Sequence, residues 1–277
     1  MTPAPAGVFR CGAQLRLLRS VPQFATSAPV VLSLQIPILI GPSLKLLAID
    51  TTSGACSAAL FDGSALIEQF FQAERDHTRR LLPMVNTVLA EGGIRLADVD
   101  ALAVSRGPGS FTGLRIAISC VQGLAFAAEK PVIPVSSLAA LAAGARREHP
   151  EWENGPVVAA LDARMQEVYW GVYGSDAPER SLVAEAVSAP GQVAEFLQGE
   201  QAITGAPWYA VGPGWHYPAL QALSPANIVV DCHVHAGDIA RLAVGPWERG
   251  EMISAENLEP AYLRNEITWK KRQRIRR

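Results

Sequence analysis

The run Arg106-Gly-Pro-Gly-Ser-Phe-Thr-Gly-Leu-Arg115 constrains the fold of this chain more than any other ten residues. Three glycines and a proline compel a tight turn that is poor in side chains. Ser110 or Thr112 is placed to cap the helix that follows, and Arg115 falls one turn into it. A glycine loop feeding a helix N-terminus can hold an anion, because free N–H groups and the helix dipole point at the ligand. The same loop can be a packing device that lets a helix lie close to a strand. On local grounds the two roles are even. The Lys-Ser/Thr ending of a P-loop is missing, and so is the spacing of the dinucleotide fingerprint.

The elements around this run alternate in type. Leu44–Asp50 is predicted as a buried strand, Cys56–Phe61 as its return after a Thr51-Thr-Ser-Gly54 turn, and Leu66–Phe71 as a third strand after the Asp62-Gly63 hairpin signal. A helix is predicted over 77–91, capped by Asp76 and closed by Gly92-Gly93, with Leu81, Leu82, Val85, Val88 and Leu89 on one face. Ala101–Ser105 is a strand running into the glycine loop. The helix from Phe111 to about Ala128 carries no charge between Arg115 and Glu129, so it is buried on all sides, in its own core or against a partner. Pro131–Val135 is a further strand, and Ser136 or Ser137 caps a helix to about Arg147.

The polar, breaker-rich segment His149–Pro156 marks a subdomain boundary. Beyond it, Val157–Leu161 and Glu167–Tyr173 read as a hairpin around Asp162-Ala-Arg-Met165. Weaker signals follow: strands near 182–187 and 208–211, and helices near 190–198 and 236–244. The pattern predicts an α/β protein with a first lobe over 44–148 and a second, smaller lobe over 156–269.

Charge is unevenly spread. The chain of 277 residues has a formal net charge of −2, yet residues 1–44 carry three arginines and no acid, 270–277 carry six basic residues and no acid, and the body between is strongly acidic. An acidic body with a basic tail is no general nucleic-acid binder, and any RNA contact is expected locally, at the tail. A solvated tail accounts for the same residues. Residues 1–43, interrupted by six prolines, read as an extension or a start-site artefact; Pro37 breaks their apolar run, against a signal peptide or membrane anchor. Four scattered cysteines without a C-x-x-C pair fit a reducing, cytoplasmic setting.

Asp50-Thr-Thr-Ser-Gly-Ala-Cys-Ser57 offers chemistry: an acid at a strand end before a hydroxyl-rich hairpin can reach Mg²⁺ and meet phosphate oxygens. A plain hairpin with an Asx-type turn explains it as well. Asp50, Thr51, Thr52, Gly107, Gly109, Ser110, Thr112, Gly113 and Arg115 are therefore the candidate phosphate-loop residues. No metal site is expected: among five histidines there is no H-x-x-x-H pair, and His233-Val-His235, two potential ligands on one strand face, has only Asp231 and Asp238 as acids beside it. No G-x-S-x-G elbow and no Ser/His/Asp set appears, which argues against a protease.

Six ordered motifs resemble the bacterial TsaB (YeaZ) family: Leu46-Leu-Ala-Ile-Asp-Thr-Thr52, His77 with Leu81-Leu82-Pro83, the Arg106–Arg115 loop, Asp162-Ala-Arg-Met-Gln-Glu-Val-Tyr169, Val211-Gly-Pro-Gly214 and Pro260-Ala-Tyr-Leu-Arg264. The resemblance implies a two-lobed ASKHA (actin-like ATPase, ribonuclease-H-like) fold with a shortened second lobe. It implies a non-catalytic subunit that acts with a TsaD-like paralogue and a TsaE-like ATPase, transferring a threonylcarbamoyl group to adenosine 37 of tRNAs that read codons beginning with A. The paralogue would carry the catalytic metal pair, which this chain lacks. His77, Leu81, Met84, Val88, Leu114, Ala117, Ile118 and Val121, on the helices 77–91 and 111–126, would meet the paralogue or a second copy of this chain. tRNA would be reached through the complex, with ATP or ADP at the shared interface and no membrane partner. The competing reading is a stand-alone small-molecule kinase or ATPase of the same superfamily, using Asp50 and the two loops.

Overall fold

The computed structural model describes residues 43–72, 76–152, 154–199, 203 and 207–264. The expectations for 1–42 and for the basic tail 270–277 lie outside these. Two five-stranded sheets carry the fold. The first holds β1 (Leu46–Asp50), β2 (Ala55–Phe61), β3 (Leu66–Gln72), β4 (Ala101–Gly107) and β5 (Val132–Ser136) in the order β3-β2-β1-β4-β5. β1, β2 and β3 form an antiparallel meander, while β4 and β5 run parallel to β1. The second holds β6 (Val157–Asp162), β7 (Val168–Tyr173), β8 (Ser181–Ser188), β9 (Tyr209–Val211) and β10 (Asn227–Val229), read as β8-β7-β6-β9-β10. Its antiparallel and parallel pairings repeat those of the first sheet. The molecule is a topological duplication.

Helices fall at equivalent places in the two halves. α1 (His77–Glu91) and α4 (Pro190–Gly199) follow the third strand of each sheet. α2 (Phe111–Ala128) follows the fourth strand, and its counterpart α5 (Pro218–Gln221) is only 4 residues long against 18. α3 (Ser137–Glu148) and α6 (Ala236–Glu248) follow the fifth strands. The shortening expected in the second lobe is thus concentrated at one helix. α5 and β10 are the elements the sequence pattern did not announce; each is one turn or three residues of weak periodicity.

β1 is buried along its whole length because both faces of the first sheet are covered, which is why Leu46-Leu-Ala-Ile49 shows no alternation. Leu47 and Ile49 pack under α1 and α2, with Val85, Val88, Leu114 and Val121. Leu46 and Ala48 face α3 and α6, in an apolar cluster that also takes in Val157, Ala159 and Tyr173 of the second sheet. Trp215 and Trp170 centre the outer core of the second lobe. The breaker-rich passage between the sheets is anchored too: Trp152 is buried and stacked on Tyr209 and His149.

The glycine loop meets the β1–β2 turn at close range. A Cβ on Gly113 would stand 1.8 Å from the Thr51 carbonyl oxygen, and one on Gly109 would stand 2.6 Å from that of Thr52. Ser110 N donates to the Thr52 carbonyl at 2.8 Å, and Thr51 Oγ1 donates to the Gly113 carbonyl at 2.6 Å. Ser110 caps α2, its hydroxyl accepting from Gly113 N. The glycines are therefore spent on backbone approach. Asp76, by contrast, precedes α1 without a side-chain cap bond; its carboxylate pairs with Arg80 instead.

Asp50 lies under this crossing with no exposed surface. Its carboxylate accepts from Thr52 N at 3.2 Å, from Thr52 Oγ1 at 2.6 Å and from the Ser105 hydroxyl on β4. Burial pushes its pKa up to about 6, against the pull of the Ser105 and Thr52 hydrogen bonds.

This packing can be tested at two positions. Gly113→Ala should lose about 3 kcal/mol in denaturant unfolding, since backbone stands where its methyl must go. Gly123→Ala, in open space on the same helix, should gain about 0.5–1 kcal/mol from helix propensity. Equal values would refute the crossing. For Asp50, the folded state binds the proton more tightly than the unfolded chain, so stability falls as pH rises from the unfolded carboxylate range through about 6. Against wild type, Asp50→Asn should therefore gain about 3 kcal/mol between acid and neutral pH, read by chemical denaturation at each pH. A difference that does not move with pH would contradict the buried placement.

Candidate functional site: an interlobe cleft and an apolar helix groove

Two concavities adjoin the start of α2. A cleft of about 1050 Å³ lies between the lobes. Thr52, Ser53 and Gly54 of the β1–β2 turn line one part of it, with Gly109, Ser110, Phe111, Thr112 and Arg115 from the glycine loop and α2. The opposite wall brings Asp162, Arg164 and Met165 of the β6–β7 turn, His233, and Tyr262 and Arg264 near the end of the described chain.

The β6–β7 turn is unusual. Arg164, Met165 and Gln166 all take left-handed backbone, with φ of 62°, 55° and 62°. Such conformations are strained for residues with a Cβ. Polar ties hold the turn: Asp162 Oδ1 accepts from Arg164 N and from the Tyr217 hydroxyl, and Arg264 reaches the Ala163 carbonyl and the Glu167 carboxylate. The result is an Arg164 side chain 88% exposed and a Met165 that is 62% exposed.

The candidate phosphate residues divide. Thr52, Gly109, Ser110, Thr112 and Arg115 line the cleft. Asp50, Thr51, Gly107 and Gly113 do not; all four are buried. Gly107 takes φ +98° and packs against Leu114. The acid on which a magnesium or phosphate role depends is thus committed inside the fold.

The second concavity is a groove of about 790 Å³ between α1 and α2. Thr78, Leu82, Ile116, Ser119, Gly123 and Leu124 line it, with Cys120, and Leu81 contributes from below. This corrects the expected contact face. Val88, Leu114, Ala117, Ile118 and Val121 are at most 6% exposed and belong to the chain's own core, so they offer no contact surface. Leu81 is 2% exposed. Met84 packs at the edge of that core, and His77 is half-buried, its pKa lowered by burial. Both helices run where periodicity placed them, but the outward face is formed by Leu82, Ile116, Ser119 and Gly123. By length and composition α2 could cross a membrane; here its inward stripe is core.

Among the described residues no three His, Cys, Asp or Glu side chains are grouped to hold a metal ion. His235 stacks on Phe70 at 4.2 Å and pairs with Glu68, whose carboxylate raises the imidazole pKa; His233 leans on the same ring. Sequence reasoning missed Phe111 and Tyr262 as site residues. Both are large, exposed aromatics inside the family motifs, and their rings lie 6.3 Å apart at the cleft.

Comparison with known proteins agrees with this architecture. Residues 71–217 match the family model of TsaD, tRNA N6-adenosine threonylcarbamoyltransferase. The tRNA threonylcarbamoyladenosine biosynthesis protein TsaB of Escherichia coli is 42% identical over 236 residues, 82% of this chain and 98% of that protein. TsaB of Haemophilus influenzae is 41% identical over 246 residues, 83% and 97% of the respective chains. The solved structure of YeaZ from Pseudomonas aeruginosa superposes with a TM-score of 0.73 at 43% identity, over 79% of this chain and all of that one. The duplicated, two-lobed α/β architecture is the ASKHA fold. The chain belongs to the TsaB (YeaZ) family of tRNA threonylcarbamoyladenosine biosynthesis proteins.

Proposed function

We propose that this chain is the non-catalytic subunit of a tRNA threonylcarbamoyl transferase. It supports a TsaD-like paralogue, which carries out the transfer to adenosine 37, and works with a TsaE-like ATPase. The observation that carries this reading is the placement of Asp50: buried, bonded to Thr52 and Ser105, and absent from the cleft wall. A kinase or ATPase of this fold needs that carboxylate in front of phosphate and metal. Here it cross-links β1 to β4 instead. The competing enzyme reading would require the crossing with Gly113 to open.

The α1–α2 groove supplies the contact surface in this reading. It is apolar, and small residues at Ser119 and Gly123 admit a partner helix closely, as in a four-helix bundle. The same surface serves a second copy of this chain when the paralogue is absent. An adenine nucleotide, ATP or ADP, belongs at the shared interface, and tRNA is reached through the complex.

Reconstitution tests the proposal. With the paralogue, the TsaE-like ATPase and the enzyme that makes the threonylcarbamoyl adenylate, tRNA modification should depend on this chain, while the chain alone modifies nothing and hydrolyses no ATP. Modification at an unchanged rate without it would refute the reading. Leu82→Glu, on a side chain that is 50% exposed, should abolish co-purification with the paralogue while leaving unfolding unchanged. Val121→Glu should unfold the chain, since a charge there is buried unpaired.

A further inference from the structure

The turn between β6 and β7 holds a conformation that puts none of Arg164, Met165 and Gln166 into the core. All three are left-handed residues with a Cβ, and all three are exposed. Such backbone persists only where neighbouring structure over-determines it, and it clusters at sites of function. Here the ties come from far along the chain. The Tyr217 hydroxyl donates to Asp162 at 3.1 Å, and Arg264 donates to the Ala163 carbonyl at 3.2 Å and to the Glu167 carboxylate.

What the turn displays at the interlobe cleft is a soft apolar side chain beside a cation. Arg164 and Met165 line the cleft with Phe111, Arg115 and Tyr262. Arg264 joins the two walls. Its guanidinium is 3.5 Å from the Met165 sulfur, and Tyr262, two residues before it, has its ring 6.3 Å from that of Phe111. Met165, Tyr262 and Phe111 are each more than half exposed. Aromatic rings, methionine and arginine are what protein interfaces concentrate, and the unbranched thioether of methionine adapts to a partner's shape. Acids share the same wall: Asp231, and Asp162 at 3.4 Å from Arg164. Mixed charge disfavours a polyanion and suits a complementary protein surface. Phe111 and Arg115 line the α1–α2 groove as well, so rim and groove form one continuous surface.

We infer that this rim is a second contact for the protein that docks in the α1–α2 groove. A protruding loop of that partner, an apolar side chain flanked by carboxylates, seats against Met165, Tyr262 and Phe111, while Arg115 and Arg164 hold its acids. The inference rests on reading the groove as the partner's seat. The interface then spans both lobes, and the strained turn is what brings the second lobe into it.

The test uses the full chain and the purified TsaD-like paralogue, with affinity from isothermal titration calorimetry and stability from denaturant unfolding of the chain alone. Met165→Gly should raise the unfolding midpoint, because glycine accepts left-handed backbone, and weaken paralogue binding about tenfold. Gln166→Gly, at a side chain that does not line the cleft, should raise the midpoint and leave affinity unchanged. Arg164→Glu should weaken binding at low salt and lose most of that effect at about 0.5 M salt. Midpoints that stay put in both glycine variants overturn the inference. So does wild-type affinity in Met165→Gly, and loss of labelled single-stranded RNA by that variant would then assign the rim to nucleic acid. Leu82→Glu separates the two readings. If it abolishes binding while the rim variants bind normally, the rim inference falls and the groove stays the partner's seat; if it binds normally, the groove reading falls whatever the rim variants show.

Discussion

The exchange of α3 and α6 between the two sheets is the constraint on which the molecule depends. α3 follows the last strand of the first sheet but packs on β6 and β7 of the second; α6 follows the second sheet and covers β1, β2 and β5 of the first. Their shared apolar cluster runs through both lobes. Gly144 on α3 leaves room for Asp238 of α6, whose nearly buried carboxylate takes a two-pronged grip from Arg147 at 2.9 and 3.1 Å. Such charge-assisted, bidentate contacts set geometry as well as energy. Outside the helices, Glu185 of β8 accepts from the Tyr173 hydroxyl at 2.6 Å and faces Arg106 at the end of β4. A cleft between lobes that share a close-packed core resists hinge closure, because rotation would open that core.

Duplication explains why the two halves then differ in use. Both sheets have one strand order, and the helix after the fourth strand occupies equivalent places in each. In the second half that helix is a single turn, and Trp215 and Leu220 fill the space as core. In the first half it runs for 18 residues and is apolar on both sides. One side closes the sheet; the other forms the wall of the groove with α1. Among the described residues, the long helix is retained in the first lobe alone, and with it the apolar groove between α1 and α2.

The fold was readable where periodicity or punctuation is strong. Phe111–Ala128, bracketed by Ser110 and Glu129, and the hairpin at Asp62-Gly63 lie where those signals put them. What escaped was set by three-dimensional company. β10 and α5 have three and four residues and owe their form to neighbours. The inward stripe of α2 was legible as apolar, but an all-apolar helix does not disclose which side meets its own sheet, so Val121 and Ile118 read as contact residues although they are core. Asp50 and Arg115 belong to one motif set, yet one is buried and the other exposed; only the approach of Gly113 to Thr51 separates them. Three successive left-handed residues at 164–166 have no glycine to betray them, since Arg264, a hundred positions on, holds the turn.

That last tie indicates how the site was assembled. The residues that keep the cleft open to solvent come from far-apart places: the turn at 162–167, the loop at 106–115 and the stretch through Tyr262 and Arg264. The Ala261 amide donates to the Arg106 carbonyl at 2.8 Å, pinning the last stretch to the glycine loop just before its tight turn. The same loop has its glycines pressed against the β1–β2 turn. The loop is anchored on both sides, with Ser110 N bonded to the Thr52 carbonyl and Thr51 Oγ1 to the Gly113 carbonyl. It holds the first turn of α2 so that Phe111 and Arg115 are exposed while Leu114 is buried in the core. The glycines of the loop serve positional precision, and what that precision leaves exposed at the start of α2 is Phe111, Thr112 and Arg115.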